Sequence, residues 1–176
     1  PWRSVRRPRD PTTQRFPNRS GRVGFPARRI VANLGSMNHT VCVTGATGFV
    51  GRAVVRELLA AGHSVRALVR DAAKARSVLP TDAKLALVTG NVLEPTTLGA
   101  LTEGCDACIH LVGIIRQSGR ATFQRVHVEA TANMLEACAR AGIKRFIHMS
   151  AMGVRPDGRA EYQRTKFEGE RLVRRS

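Results

Sequence analysis

Thr44-Gly45-Ala46-Thr47-Gly48-Phe49-Val50-Gly51 is the stretch that decides the fold. It follows the β-branched run Thr40-Val41-Cys42-Val43-Thr44 and opens a helical pattern over about residues 49–61. Glycine has steric work to do in a strand-turn-helix order. Gly45 lets the chain turn sharply off the strand, Gly48 lets backbone approach a ligand, and Gly51 lets the helix lie close to the sheet. Outward from this turn, short apolar runs at 64–69, 84–88, 107–112 and 144–149 read as further strands. Helical patterns at 72–78, 95–103, 121–141 and 160–174 separate or follow them. In the pattern at 121–141, Phe123, Val126, Met134, Leu135 and Cys138 help form one apolar stripe. Ala-Gly-His at 61–63 and Ala-Gly-Ile at 141–143 place a glycine just past a last helical turn, and strands follow at once. Strand and helix in alternation predict an α/β fold, a doubly wound parallel sheet of about five strands joined by right-handed crossovers.

A glycine turn between strand and helix is also a place for phosphate. Backbone N-H groups and the positive end of the helix dipole face the same point, so Gly45, Thr47, Gly48, Phe49, Val50 and Gly51 are read as the cradle of a dinucleotide pyrophosphate. The second strand then decides between cofactors, because an acid at its end grips a ribose 2′-hydroxyl and a base accepts a 2′-phosphate. It ends Leu68-Val69-Arg70-Asp71. Arg70, with Arg52 beside the turn, favours NADP(H), while Asp71 keeps NAD(H) open.

The chain has 176 residues, 43% hydrophobic and 5% aromatic, which fits one domain with its own core. No apolar run approaches the roughly 18 to 20 residues of a membrane-spanning helix, so no transmembrane segment is expected. The net charge of +16 is uneven: residues 1–36 hold nine Arg, five Pro and one acid, Asp10. That segment reads as a disordered tail, either sequence upstream of a start at Met37 or an Arg-rich organelle-targeting peptide. The folded domain is expected over 37–176, with no specific nucleic-acid partner. The expected location is cytoplasmic or peripheral to an inner membrane, and the mitochondrial matrix if the tail is a transit peptide. Cys42, Cys105, Cys108 and Cys138 are read as scattered small core residues of a reduced protein, with no metal site.

Tyr162 and Lys166 are four apart on a predicted helix, so they share a face and can reach one ribose and nicotinamide edge. A phenol beside an ammonium is suited to general acid or base work alongside hydride transfer.

These features together resemble the atypical short-chain dehydrogenase/reductases. The residues that carry the likeness are the glycine turn, Gly90-Asn91-Val92, His110-Leu111-Val112-Gly113-Ile114-Ile115, His148-Met149-Ser150-Ala151 and Tyr162-x-x-x-Lys166. Within that superfamily the chain looks most like the branch around the 39-kDa accessory subunit of respiratory complex I. The resemblance implies a Rossmann-type sheet of order 3-2-1-4-5, proton transfer by Tyr162 and a grip on the ribose hydroxyls by Lys166. It also implies Asn91 and Val92 beside the adenine, where the family usually has Asp for Asn91, and Leu111, Val112 and Gly113 along the adenosine ribose. Two departures bear on chemistry: the family's catalytic Ser or Thr falls at Ala151, and its helical Asn falls at His127. The chain ends inside the Tyr-Lys helix, so the substrate lobe of the relatives is expected to be absent. The readings carried forward are an NADP(H)-dependent oxidoreductase and a nucleotide-binding accessory subunit of a respiratory or quinone-biosynthesis assembly, with a redox-sensing regulator behind them.

Overall fold

Alternation along the central strand sets the two layers. In β1 (Thr40–Thr44), Val41 and Val43 point to one face and Cys42 and Thr44 to the other, and all four are buried. The computed structural model describes residues 38–176 together with Val31 and Leu34. Five parallel strands lie in the order β3-β2-β1-β4-β5, with β2 at Ser64–Val69, β3 at Leu85–Thr89, β4 at Ala107–His110 and β5 at Arg145–His148. This is the doubly wound Rossmann-type order expected from the sequence. Register places Cys42 opposite Cys108 and Thr44 opposite His110.

Both faces are covered, which is why the central strands read as unbroken apolar runs. On one face Val41, Val43, Val65, Ala67 and Ile109 pack with Val54, Val55 and Leu58 of α1 (Phe49–Ala60) and Ala75 of α2 (Ala72–Arg76). On the other, Cys42, Leu68 and Cys108 pack with Leu98, with Leu101 of α3 (Gly99–Thr102), and with Ala130, Met134, Ala137 and Cys138 of α4 (Ala130–Arg140). The last helix, α5 (Glu161–Arg175), packs against α4 and the turn that precedes it.

The elements differ in detail from the pattern in the sequence. The helix expected over 95–103 is a 3-10 turn at Pro95–Thr97 followed by the short α3, because Pro95 starts the turn and Gly99 starts the helix. The helix expected over 121–141 opens with a π-turn at Gln124–Glu129. The strands expected to run to 112 and 149 stop at His110 and His148, although Met149 N still donates to His110 O at 3.0 Å. The expected Arg/Pro-rich tail lies outside the described residues except at Val31 and Leu34. Both are buried in the α1-side core, and the Leu34 carbonyl accepts a hydrogen bond from Arg145 at 2.9 Å.

Candidate functional site

Parallel strands bring all their C-terminal ends to one edge, and there the connection from β1 to α1 makes its turn. Gly45 sits at φ +73°, and a Cβ on it would meet the Leu111 carbonyl carbon at 3.1 Å. A Cβ on Gly51 would stand 2.1 Å from the Gly45 oxygen. The absent side chains therefore let the turn fold under the β4 exit on one side and onto α1 on the other. Gly48 closes the turn through its N-H to Gly45 O at 3.0 Å and forms the N-cap of α1 with no side chain over it. Thr47, Gly48 and Phe49 are exposed, Val50 is half-buried and Gly51 is buried.

At the end of β2 the two candidate cofactor-choosing residues part company. Asp71 is the N-cap of α2, its carboxylate accepting from Lys74 N at 2.9 Å. Arg70 is exposed and enters none of the ion pairs among the described residues. At the end of β3, Asn91 is tied into its own turn: its amide oxygen accepts from Leu93 N at 3.1 Å and its nitrogen donates to Glu94 at 3.3 Å. The Val92 carbonyl accepts from Asn133 at 3.0 Å, which anchors this turn to α4. Leu111, Val112 and Gly113 leave β4 across the glycine turn, with Leu111 N still donating to Thr44 O at 3.2 Å.

Lys166 comes to the same edge from α5. It is 4% exposed, its ammonium donates to the Met149 carbonyl at the end of β5, and a Cβ on Gly113 would lie 3.9 Å from its Nζ. Burial pulls its pKa down, against an opposing pull from Glu170. Tyr162, one turn earlier, is half-buried. Its ring stands edge-on to His127 (centroids 5.3 Å apart, 86°) and to Phe123 (5.7 Å, 78°).

His127 organises this side of the cleft. The π-turn projects it inward, where it is 1% exposed. Thr165 donates its hydroxyl proton to Glu161 O at 2.9 Å, so its oxygen accepts from His127 Nδ1 at 3.0 Å. Nε2 lies 3.2 Å from Ile114 N and 3.0 Å from Ile114 O, so the backbone of Ile114 meets the other ring nitrogen. Both ring nitrogens are thus held, and burial together with the Lys166 charge lowers the pKa of the ring to about 4, which keeps it neutral. Gly169 completes the fit: a Cβ there would sit 2.7 Å from His127 O, so only glycine lets α5 approach this closely.

Two further histidines surround Lys166. His110 and His148 stack at 5.6 Å, and His110 Nδ1 pairs with Thr44 Oγ1 at 2.7 Å. Burial, with neighbouring positive groups, lowers His110 to about 3 and His148 to about 4. His110 Nε2, both His148 ring nitrogens and Ser150 Oγ are buried without a protein partner. Three large exposed apolar side chains, Phe49, Ile115 and Met152, lie on or just beyond the connections that leave β1, β4 and β5 at this edge.

A family model described as NAD(P)H-binding matches residues 45–176, from the glycine turn through α5. The chain belongs to this NAD(P)H-binding family. It is 37% identical over 136 residues to the ceramide reductase of Caulobacter vibrioides, covering 76% of this chain and 41% of that one. It is 30% identical over 156 residues to the mitochondrial NADH-ubiquinone oxidoreductase 40 kDa subunit of Neurospora crassa, covering 87% and 42%. The uronate dehydrogenase of Agrobacterium tumefaciens superposes with a TM-score of 0.63 at 25% identity, over 80% of this chain and 56% of that one. The chain spans well under half the length of the curated relatives it matches. This is a nicotinamide-dinucleotide-binding domain of the short-chain dehydrogenase/reductase type, with oxidoreductases among its relatives.

The geometry of this NAD(P)H-binding domain brings the glycine turn, Leu111 to Gly113 and Lys166 to one cleft. The sequence marks His127 only as a departure from the family's helical Asn, and His110 and His148 only as letters of the motifs that carry the resemblance. Their one signal was position: each strand histidine is the last residue of its strand, at the edge where the site forms.

Proposed function

We propose that this chain is the cofactor-holding domain of an NADP(H)-dependent oxidoreductase, acting on a carbonyl or the corresponding alcohol. The observation that carries the reading is Lys166: a buried ammonium held on the Met149 carbonyl, close to Gly113, at the edge where the glycine turn lies. The residues present suit the cofactor. The turn from Gly45 to Gly51 offers a glycine-lined cradle, and the unpaired ring nitrogens of His110 and His148 feel the Lys166 charge. Asp71 is committed to its helix cap, which leaves Arg70 as the group to receive a 2′-phosphate.

When bound, the nicotinamide ring supplies or accepts a hydride. Tyr162 would give or take the accompanying proton at its hydroxyl, with its ring fixed by the walls of Phe123 and His127. Lys166 would grip the ribose hydroxyls and hold positive charge near that phenol. Neutral His127 would keep the ring in place without adding a second cation.

The test is a thermal-shift titration with NADPH and NADH, paired with NADPH oxidation over a panel of aldehydes and ketones. NADPH should raise the melting temperature more than NADH. Tyr162→Phe should keep that shift while losing turnover by ~10²-fold or more. An equal shift with NADH would overturn the phosphate preference, and full turnover in Tyr162→Phe would overturn the proton role.

A second reading rests on Ala151, which places no hydroxyl where the family's catalytic Ser or Thr stands. Under it the chain is a nucleotide-binding accessory component of a respiratory or quinone-assembly complex, a reading the similarity to the Neurospora subunit favours. An NADPH-induced shift with no carbonyl consumption would select it.

A further inference from the structure

All four cysteines of the chain gather beneath the sheet, on its α4 side. Cys42 of β1 and Cys108 of β4 are register partners on one face, and Cys138 reaches them from α4. The three sulfurs lie within 4.8 Å of one another, and the Cys105 thiol abuts Cys42. The four are 0 to 8% exposed and all are free thiols.

Residues three apart on a strand point to opposite faces, but Cys105 and Cys108 do not, for a local reason. β4 begins at Ala107, so Cys105 precedes the strand, just after Gly104 at φ +66°. Strand parity does not govern it, and both sulfurs turn to the same side.

We propose that these cysteines form a binding site for one thiophilic d10 metal ion of the Zn(II) or Cu(I) class. Cys42, Cys108 and Cys138 would be its ligands, and Cys105, beside Cys42, would be the fourth if its loop moves inward. In a thiolate site with metal-sulfur bonds of about 2.3 Å, the sulfurs stand about 3.8 Å apart, so the cluster needs to contract by at most about an ångström. Soft sulfur ligands in an apolar core select such ions over hard cations. Each thiol gives up its proton to solvent on binding, and no oxidation or reduction is involved. The resulting negative charge has a counter-charge at hand in Arg66, whose guanidinium is fixed on the Leu101 and Ala100 carbonyls and lies close enough to act on Cys105. A closed site of this kind is structural: it would clamp β1, β4, α4 and the loop before β4 into one unit, on the sheet face that also carries His110.

Because the cysteines are buried, the ion must enter as the chain folds. The full 176-residue chain is unfolded under reductant and refolded with and without Cd(II), which reports thiolate ligation by charge-transfer absorption. The zinc and copper content of protein expressed in supplemented medium is measured in parallel. The expected result is one ion per chain, thiolate-to-cadmium absorption, protection of the four thiols from alkylation, and a melting temperature higher by about 10 °C. Cys138→Ala and Cys105→Ala should each weaken cadmium binding. An NADPH-induced thermal shift retained in either variant shows that it folds, and the wild-type alkylation pattern is decisive if neither does. The proposal is overturned by well under one ion per chain, by absorption unchanged in variants that fold, or by alkylation indifferent to metal. A Cys42-Cys108 disulfide in protein purified without reductant would overturn it too, since that pair would then be redox chemistry.

Discussion

The two halves of the cleft are built on opposite plans. The β1-α1 side works through backbone: three glycines, a helix N-terminus without a capping side chain, and contacts defined by atoms that are missing. The α5 side works through side chains from four separate elements, namely Lys166 and Tyr162 on α5, His127 on the π-turn, and His110 and His148 at two strand ends. A backbone site tolerates little change of shape and much change of chemistry around it. A side-chain site is the reverse. On the proposed function, this contrast makes nucleotide binding and proton transfer separable, and Ala151 lies away from the glycine side.

The contrast breaks most visibly at Gly51. Gly51→Ala puts a methyl group 2.1 Å from the Gly45 oxygen and 2.7 Å from two Ala46 backbone atoms. Nothing flexible is there to give way. The expected outcome is loss of the NADPH thermal shift and a destabilisation of about 3 kcal/mol or more, read by denaturant unfolding.

The side-chain half is probed by acid. His110, His127 and His148 have folded pKa values of about 3, 4 and 4, below the ordinary histidine value of about 6.5. Above that ordinary value both states are neutral and the full stability is present. Between it and the folded values the unfolded chain holds the extra protons, so stability falls as the pH drops from about 6.5 to about 4. Unfolding near pH 5 should take up about two to three protons from these rings, and His127→Gln should remove about one of them. A melting temperature flat from pH 7 to 5 would show that burial does not hold these rings neutral.

The smallest effect lies at Arg70, after the end of β2 on the far side of the glycine turn from α5. Arg70→Ala should weaken NADPH binding by about tenfold while leaving NADH within about twofold, measured by calorimetric titration. An equal loss for both cofactors would make Arg70 a general cation of the cleft and not a reader of the 2′-phosphate.

Much of the backbone half was legible in the residues themselves. Gly45-x-x-Gly48-x-x-Gly51 between a β-branched run and a helical pattern admits few conformations, and strand-helix alternation admits few topologies, so order 3-2-1-4-5 followed with the family resemblance. Tyr162 and Lys166 were legible for a similar reason, since a spacing of four on a helix fixes a shared face. Asp71 shows where such reading ends. As a letter it competes with Arg70 for the ribose, and only its hydrogen bond to Lys74 N assigns it to the helix cap.

What the sequence by itself determined is therefore whatever depends on neighbours along the chain: the alternating elements, the glycine turn and the Tyr-Lys face. Tertiary structure alone decided that the sulfurs of Cys42, Cys108 and Cys138 meet, that a π-turn carries His127 to Tyr162, and that Lys166 acts on three buried histidines. The reason is physical. Local backbone preference fixes which way a side chain leaves its own element, but the distance between side chains on different elements is set by how the layers pack.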